Sequence, residues 1–544
     1  MSRNLRGLSL RKGLTDSMYE QISDAALGAD DLREANLISV AREFKTGNAA
    51  ILSASSFYDF LQPGHQGKKV FVCDGTACLV SGRTEEVMRE LLETYQPHEI
   101  GTMTCLGHCH TNDAYIAGGE IRYCKCGGGR ETPEVYSNAE NPVLIVPTGD
   151  IRDYYSPLAA LRNNTESALR ELGSSGLRGR GGAGFPFHIK VRSALNAATA
   201  DTKYVVCNGD EGDPGAFSDK WLLEERPHSV LFGMLATGII IGAGAGVVYI
   251  RGEYPLAIKR VKEAIRTLAE LGIAAGEEND DSGLFRFHVV QGSGAYICGE
   301  ETSLLNSIEG LRAEVRTRPP FPAVYGLFGR PTVLSNVETF ANVRYILERG
   351  GAAWAAMGTA KSPGTKLVSL DGAFNRPGLL EVKMGTPLRN VMDEMGGGTR
   401  YPVKAFQIGG PLGGLVPASR IDDLTLDFES FAREGFLLGH AGVVSIPEDF
   451  PVIRLVEHLF EFTRKESCGK CFPCRLGSAR GHDLVSAAVK DGELIDRQLF
   501  DDLLEAMELG SLCALGSGLP LPVKNALQYF GDELKDYFTT IKES

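Results

Sequence analysis

The sequence predicts a multidomain α/β protein with helical ends, and three observations carry that prediction. First, 544 residues are more than one hydrophobic core organises, so several domains are expected. Second, between about 150 and 350 the short apolar strands Tyr204-Val205-Val206, Val247-Val248-Tyr249-Ile250 and Phe287-His288-Val289-Val290 alternate with helical stretches, and each runs into a Gly- or acid-rich loop. That is the layout of a parallel sheet with ligands at its carboxyl edge. Third, residues 15–65 and 451–540 read as helical, with apolar positions such as Leu37, Val40, Ala41 and Phe44 recurring at helical spacing.

Taken in order, the helical start ends at Pro63-Gly64. A strand follows over 69–72, then a helix over 84–95 and a hairpin over 114–121 through Gly118-Gly119. Together with two pairs of loop cysteines these form one small α/β unit. The polar stretch 127–141 reads as a linker. Residues 230–250 imitate a membrane span, but Gly242, Gly244 and Gly246 interrupt it. A buried helix, a Gly turn and a strand over 246–250 explain it better. Strands at 367–370, 379–383 and 405–408 surround one helix over 388–395, making a small α+β module. The domain limits follow as 1–65, 66–140, 141–355, 356–445 and 446–544.

Composition narrows the function. Apolar residues at 43% and charged residues at 23% describe an ordinary globular chain. A net charge of −13 without a basic stripe excludes nucleic acid as a partner. Twelve cysteines without a secretory signal read as metal ligands and reduced thiols of a cytoplasmic protein.

The most specific motif is Cys468-Gly-Lys-Cys471-Phe-Pro-Cys474 with Cys513 farther on. Three cysteines at two-residue gaps cap three corners of a 4Fe–4S cubane, and a fourth closes it. Zinc prefers two separate pairs. Cys73-x4-Cys78 and Cys105-x3-Cys109 place two thiolates on each of two loops, which suits a 2Fe–2S rhomb. Cys124 and Cys126, one residue apart, read as free thiols on a turn, with a further metal site as the alternative.

Three loops speak for nucleotides. Gly176-Leu-Arg178-Gly179-Arg180-Gly181-Gly182-Ala183-Gly184-Phe185 is a phosphate-type loop, whose glycines open backbone N–H groups to an anion that the arginines neutralise. Cys207-Asn208-Gly-Asp210-Glu211-Gly-Asp213 is acidic directly after a strand. Gly292-Ser-Gly294-Ala-Tyr296-Ile-Cys298-Gly299-Glu300-Glu301-Thr302 joins an aromatic ring to carboxylates. Each alone is explained by turn chemistry. Together they fit a flavin with a dinucleotide stacked on it.

These loops, with Pro319-Pro-Phe321-Pro322, Ser335-Asn336-Val-Glu338-Thr339 and 467–475, resemble the NADH-binding, FMN-containing 51-kDa-type subunit of respiratory complex I. Relatives of that subunit serve NAD-reducing hydrogenases and NAD-dependent formate dehydrogenases. Residues 15–130 resemble the 24-kDa-type partner, here fused in front. The resemblance implies a thioredoxin-like ferredoxin domain, a Rossmann-like FMN/NAD domain, a β-grasp (SLBB-type) module and a C-terminal helical bundle. It implies that Gly179, Arg180, Gly182, Lys190, Asn208, Asp210, Tyr296, Gly299, Glu300 and Asn336 line FMN. Phe185, Asp213, Glu301, Arg318 and Phe321 would meet NAD(H), with Glu211 positioning groups beside them. Cys468, Cys471, Cys474 and Cys513 would hold the 4Fe–4S cluster. Asp213 stands where complex I has Glu, Arg318 where Lys is usual, and Val191-Arg192-Ser193 where an aromatic pair is common.

The run from Gly409-Gly410-Pro411 to Gly439-His440-Ala441-Gly442 and the tail Gly510-Ser511-Leu512-Cys513-Ala514 look most like the β subunit of cytoplasmic molybdenum- or tungsten-dependent formate dehydrogenases. No ferredoxin-type extension follows residue 544. No pterin- or hydrogen-activating site is recognisable, so the substrate chemistry is expected on a large partner subunit, of formate dehydrogenase or alternatively of a hydrogenase or complex I. A nucleotide-free electron-transfer scaffold is the alternative of another class.

Overall fold

The computed structural model describes residues 13–14, 17–27, 33–65, 67–125, 132–197, 202–275 and 283–539. Three helices, Met18–Leu27, Arg33–Glu43 and Asn48–Ser55, open it. Their apolar residues, including Ile22, Leu37 and Ile51, share one buried cluster with Tyr249, Ile297 and Leu304 of the central domain. Polar contacts fix the docking. Tyr19 donates to Ser293 Oγ at 2.8 Å, and the Asp59 N–H donates to the Gly294 carbonyl at 2.8 Å. The helices therefore buttress the loop that carries Tyr296.

The first sheet holds β1 (Val70–Cys73), β2 (Ile100–Met103), β3 (Ala114–Ala117) and β4 (Glu120–Tyr123), ordered β2-β1-β3-β4. β1 and β2 run parallel, while β3 and β4 form the expected hairpin. The expected helix over 84–95 is Arg83–Leu91, entered through Gly82 at φ 70°. A left-handed turn of that kind suits glycine, which has no Cβ to clash. β5 (Glu134–Ser137) falls where the sequence reads as a linker.

The central sheet is parallel throughout. It holds β6 (Tyr204–Gly209), β7 (Ala245–Ile250), β8 (Arg286–Gln291) and β9 (Thr332–Asn336), ordered β8-β7-β6-β9. Helix Pro227–Ile241 lies almost wholly buried beside it and ends at Gly242 with φ 73°. At Gly233 a Cβ would lie 2.1 Å from the Phe340 carbonyl, so the close approach of these helices requires glycine. This accounts for the apolar run over 230–250. Among the described residues no helix is long and apolar enough to cross a membrane.

The third sheet holds β10 (Thr365–Leu370), β11 (Gly378–Lys383), β12 (Val403–Ile408), β13 (Gly414–Pro417) and β14 (Gly442–Pro447). Its order is β13-β12-β14-β10-β11-β5. So β5 leaves its neighbours in sequence and pairs parallel with β11. The buried Glu381 of β11 anchors the same crossover by accepting the N–H groups of Val143, Leu144 and Ile145. The expected helix over 388–395 is largely a π-helical turn, Asn390–Met395. The chain closes with helices Val452–Glu466, Phe472–Asp491, Arg497–Gly510 and Pro520–Tyr529.

Candidate functional site

The carboxyl edge of the central sheet collects the predicted loops. β6 delivers Asn208 and Asp210, β9 delivers Asn336, and the segment after β8 turns through Tyr296–Gly299 into helix Glu301–Ile308. Asn208 Nδ2 donates to the Gly299 carbonyl at 2.9 Å, which ties two of these loops together. Above them lies the glycine loop, with Gly182 at φ 110° and Gly184 at φ 60°. The loop closes on itself through the Gly179 N–H and the Phe185 carbonyl at 2.8 Å. A Cβ on Gly181 would lie 3.0 Å from that of Asn336.

Two carboxylate oxygens here are buried without a hydrogen-bond partner, Asp210 Oδ2 and Glu300 Oε1, the latter with Arg318 Nη2 3.9 Å away. Burial pushes the Asp210 carboxyl well above its usual range. Unsatisfied buried polar atoms are costly, and a polar ligand with ribityl or ribose hydroxyls would satisfy them. The residues present therefore fit a flavin nucleotide. The other Glu300 oxygen caps helix Glu301–Ile308 by accepting the N–H groups of Thr302 and Ser303, both at 2.9 Å. Asn336 is likewise a cap, accepting the Thr339 N–H while its amide donates to Asp219.

A charged cluster stands at the open end. Glu301 bridges two cations, with Lys190 Nζ at 3.0 Å and Arg318 Nη1 at 2.9 Å. Burial alone would raise its carboxyl, but Lys190 and Arg318 together hold it below the usual range. Phe185, 45% exposed, and Phe321, 57% exposed, offer ring faces beside this cluster, and Lys190 Nζ lies 5.9 Å from the Phe185 ring centroid. Exposed aromatics next to paired charges are what a base and a phosphate bind.

Asp213 ties in the third sheet. It accepts from the Tyr296 hydroxyl at 2.5 Å, and His440 Nε2 lies 2.9 Å from its other oxygen. The His440 Nδ1 accepts the Gly442 N–H at 3.0 Å, so the proton sits on the nitrogen facing Asp213. A Cβ on Gly410 would lie 2.7 Å from Asp213 Cγ, so the Gly409–Gly410 turn fits close over this carboxylate only as glycine. Tyr296 also donates its backbone N–H to Glu466 at 2.8 Å, two residues before Cys468. Glu466 is half-buried, and desolvation first, then Asp59, pushes its carboxyl up to about 8.

Two expected roles change. Arg178 does not lie open to an anion. Arg178 pairs with Glu429 at 2.5 Å and stacks 4.2 Å over the Phe428 ring. Arg180 is buried over Trp354, donates to the Pro363 carbonyl at 2.6 Å, and is pushed down to about 10 by burial. Arg178 is thus engaged, whereas Arg180 Nε and Nη1 are buried without a hydrogen-bond partner and remain, with the loop's backbone N–H groups, as donors for an anion. Glu211 is not poised at the ligand edge either. Its carboxylate caps helix Ser218–Glu225, accepting Asp219 and Lys220 N–H, both at 2.9 Å, and the Ser218 hydroxyl. Glu211→Ala should lower stability by about 1–2 kcal/mol, as lost helix caps do, and leave the KM for NADH unchanged. Thermal unfolding and steady-state kinetics decide it; a raised KM at unchanged stability would return Glu211 to the ligand site.

The C-terminal cysteines come together. Cys468, Cys474 and Cys513 are buried, and Cys471 is partly exposed. Burial first, with Cys471 and Cys468 adding, raises the Cys474 thiol to about 11; burial first, with Glu300, Cys468 and Cys474 adding, raises the Cys513 thiol to about 12. Cys513 opens helix Ala514–Gly518, where a Cβ on Gly516 would lie 2.7 Å from the Cys474 Cβ. Among the described residues no three His, Cys, Asp or Glu side chains are placed to hold a single ion. Four cysteines gathered in this way fit an iron–sulfur cluster, which would supply the positive charge their thiolate forms need.

Cys73, Cys78, Cys105 and Cys109 form a second buried set at the carboxyl ends of β1 and β2. The Cys105 and Cys109 sulfurs are 3.4 Å apart, and the Gly107 and Gly215 N–H groups donate to them at 3.4 and 3.2 Å. Backbone N–H donors aimed at sulfur are the usual partners of cluster thiolates, so these residues fit a 2Fe–2S group. Cys124 is disulfide-bonded, where the sequence suggests a free thiol. Cys126 lies outside the described residues.

One residue escaped the sequence reading. Arg251, immediately after β7, is buried between the Glu211 loop and the Cys105 loop. Its position at the end of a parallel strand is the available signal, because ligand loops gather there.

Comparison with known proteins converges on one family. Residues 172–345 match the Nuo51 FMN-binding domain, and residues 454–537 match the NADH-ubiquinone oxidoreductase-F iron-sulfur binding region. The NADP-reducing hydrogenase subunit HndC of Solidesulfovibrio fructosivorans is 44% identical over 384 residues, spanning 70% of this chain and 78% of that one. The mitochondrial NADH dehydrogenase (ubiquinone) flavoprotein 1 of Dictyostelium discoideum is 34% identical over 418 residues, spanning 75% and 87%. The crystal structure of an NAD+-reducing NiFe-hydrogenase in the H2-reduced state aligns with TM-score 0.84 at 26% identity, over 96% of this chain and 94% of that chain. The chain thus belongs to the Nuo51 family of FMN-binding, 4Fe–4S-binding NADH dehydrogenase subunits, and it is an NAD(H)-dependent flavin and iron–sulfur oxidoreductase.

Proposed function

We propose that this chain is the diaphorase subunit of a cytoplasmic NAD-dependent formate dehydrogenase and joins NAD(H) to a chain of one-electron carriers. The observation that carries the nucleotide half is the Lys190–Glu301–Arg318 cluster, flanked by Phe185 and Phe321 at the mouth of the glycine loop. FMN, when bound, exchanges a hydride with the nicotinamide and single electrons with the clusters, a conversion neither partner can make alone.

The chain's own residues bind and orient. Glycine-loop N–H groups would meet the flavin phosphate; Asn208, Asp210, Tyr296 and Glu300 Oε1 would line the flavin. Asp213 faces the nicotinamide, held by Tyr296 and His440. Glu301, Arg318 and the two phenylalanines take the adenosine side. No side chain acts as catalytic acid or base, since hydride transfer needs none. Cys468, Cys471, Cys474 and Cys513 hold the 4Fe–4S cluster, and Cys73, Cys78, Cys105 and Cys109 hold a 2Fe–2S cluster in a thioredoxin-like domain.

The loops Gly409–Gly414 and Gly439–Gly442 support the formate dehydrogenase assignment by their resemblance. A second reading, the diaphorase subunit of an NAD(P)-reducing hydrogenase, is favoured by the likeness to the NiFe-hydrogenase chain along nearly its whole length. Purifying the native assembly and identifying the metal of its large subunit separates them. Molybdenum or tungsten with a pterin is expected; nickel would replace the formate reading with the hydrogenase one.

A further inference from the structure

Arg251 touches both redox loops at once. Its Nη1 donates to the Cys105 carbonyl at 2.7 Å and to the Glu211 carbonyl at 2.8 Å. Its Nη2 donates to the Thr104 carbonyl at 3.1 Å and to Glu253 Oε1 at 2.7 Å. Both side chains of the Arg251–Glu253 pair are almost wholly buried, at 4% and 3% exposure. Glu253 Oε2 is buried with no partner. A buried pair of this kind is weak evidence for stability, because desolvation cancels most of the attraction. Its placement therefore asks for another explanation.

We infer that Arg251 and Glu253 set the reduction potential of the cluster held by Cys73, Cys78, Cys105 and Cys109, Arg251 raising it and Glu253 lowering it. The inference rests on the 2Fe–2S reading above. On reduction the cluster gains one electron and one unit of negative charge. A fixed cation hydrogen-bonded to the backbone of a ligand favours the reduced form, and in a water-poor interior that attraction is weakly screened. Because the same guanidinium grips the Glu211 carbonyl, it also fixes the cluster loop against the flavin loop. Arg251 is thus a positioning and tuning residue, touching neither substrate nor sulfur.

The test is an electron-paramagnetic redox titration of the full chain, with dithionite as reductant. Arg251→Met should shift the 2Fe–2S midpoint to more negative potential, and Glu253→Gln should shift it the other way. Arg251→Lys, which keeps the charge, should restore most of the original midpoint. The 4Fe–4S midpoint should stay in place throughout. A merely structural pair would move both variants in the same direction or neither. If Arg251→Met fails to assemble the cluster, Glu253→Gln still decides, and a downward or absent shift there overturns the inference. An unmodified chain without any 2Fe–2S signal overturns the cluster reading itself, and the inference with it.

Discussion

Cys513→Ala should abolish the 4Fe–4S electron-paramagnetic signal and reduce coupled turnover with the partner subunit to background. In the proposed assignment Cys513 is the ligand from outside the 468–474 turn, and it sits buried at the head of its own short helix. Without it one iron loses its thiolate, and the cluster is lost or falls to a three-iron form. NADH should still bleach the flavin, since the nucleotide loops lie on the central sheet. The signal assigned to Cys73, Cys78, Cys105 and Cys109 should survive, because those ligands belong to another sheet. Loss of that signal with the cubane intact would reverse the ligand assignment of both clusters.

Glu301→Gln should raise the KM for NADH about tenfold or more, in line with the ~1.5–3 kcal/mol of hydrogen bonds to charged groups, while FMN content is retained. The carboxylate organises Lys190 and Arg318 at once, so removing its charge loosens both. Lys190 keeps its second hydrogen bond, to the Leu334 carbonyl at 3.2 Å, and Asn208 and Asp210, proposed flavin residues at the end of β6, are untouched. Lys190 and Arg318 hold the Glu301 carboxyl low. Its ion pairs therefore persist as pH falls through the ordinary carboxylate range and are lost only below it, so the KM should stay flat on mild acidification. Steady-state kinetics and flavin content together decide the point. A variant that loses FMN yet binds NADH normally would place Glu301 at the wrong cofactor.

Much of this was legible in the sequence because the physics was local. The strands around Val205 and Val248 are buried on both faces and so appear as continuous apolar runs. The cysteine triplet carries its spacing within one turn. Other features depend on distant partners. β2, Ile-Gly-Thr-Met, has no alternation and exists through its pairing with β1. β5 reads as a polar linker until β11 lies beside it. Glu211 and Glu301 look alike as acids in glycine-rich loops, yet one caps a helix and the other pairs two cations. Arg178 reads as an anion ligand because nothing in the loop reveals Glu429 and Phe428. Arg251 gains its meaning from a loop far away in sequence.

Conversion of hydride from NADH into single electrons by this one chain is measured as anaerobic NADH oxidation by the purified protein. Ferricyanide serves as acceptor, flavin absorbance is followed in parallel, and formate is the control substrate. Flavin bleaching, rapid NADH:ferricyanide turnover and no turnover of formate are expected. A chain that carries clusters but no flavin and leaves NADH unoxidised would contradict that conversion, and formate oxidation by this polypeptide alone would contradict the division of labour with a partner.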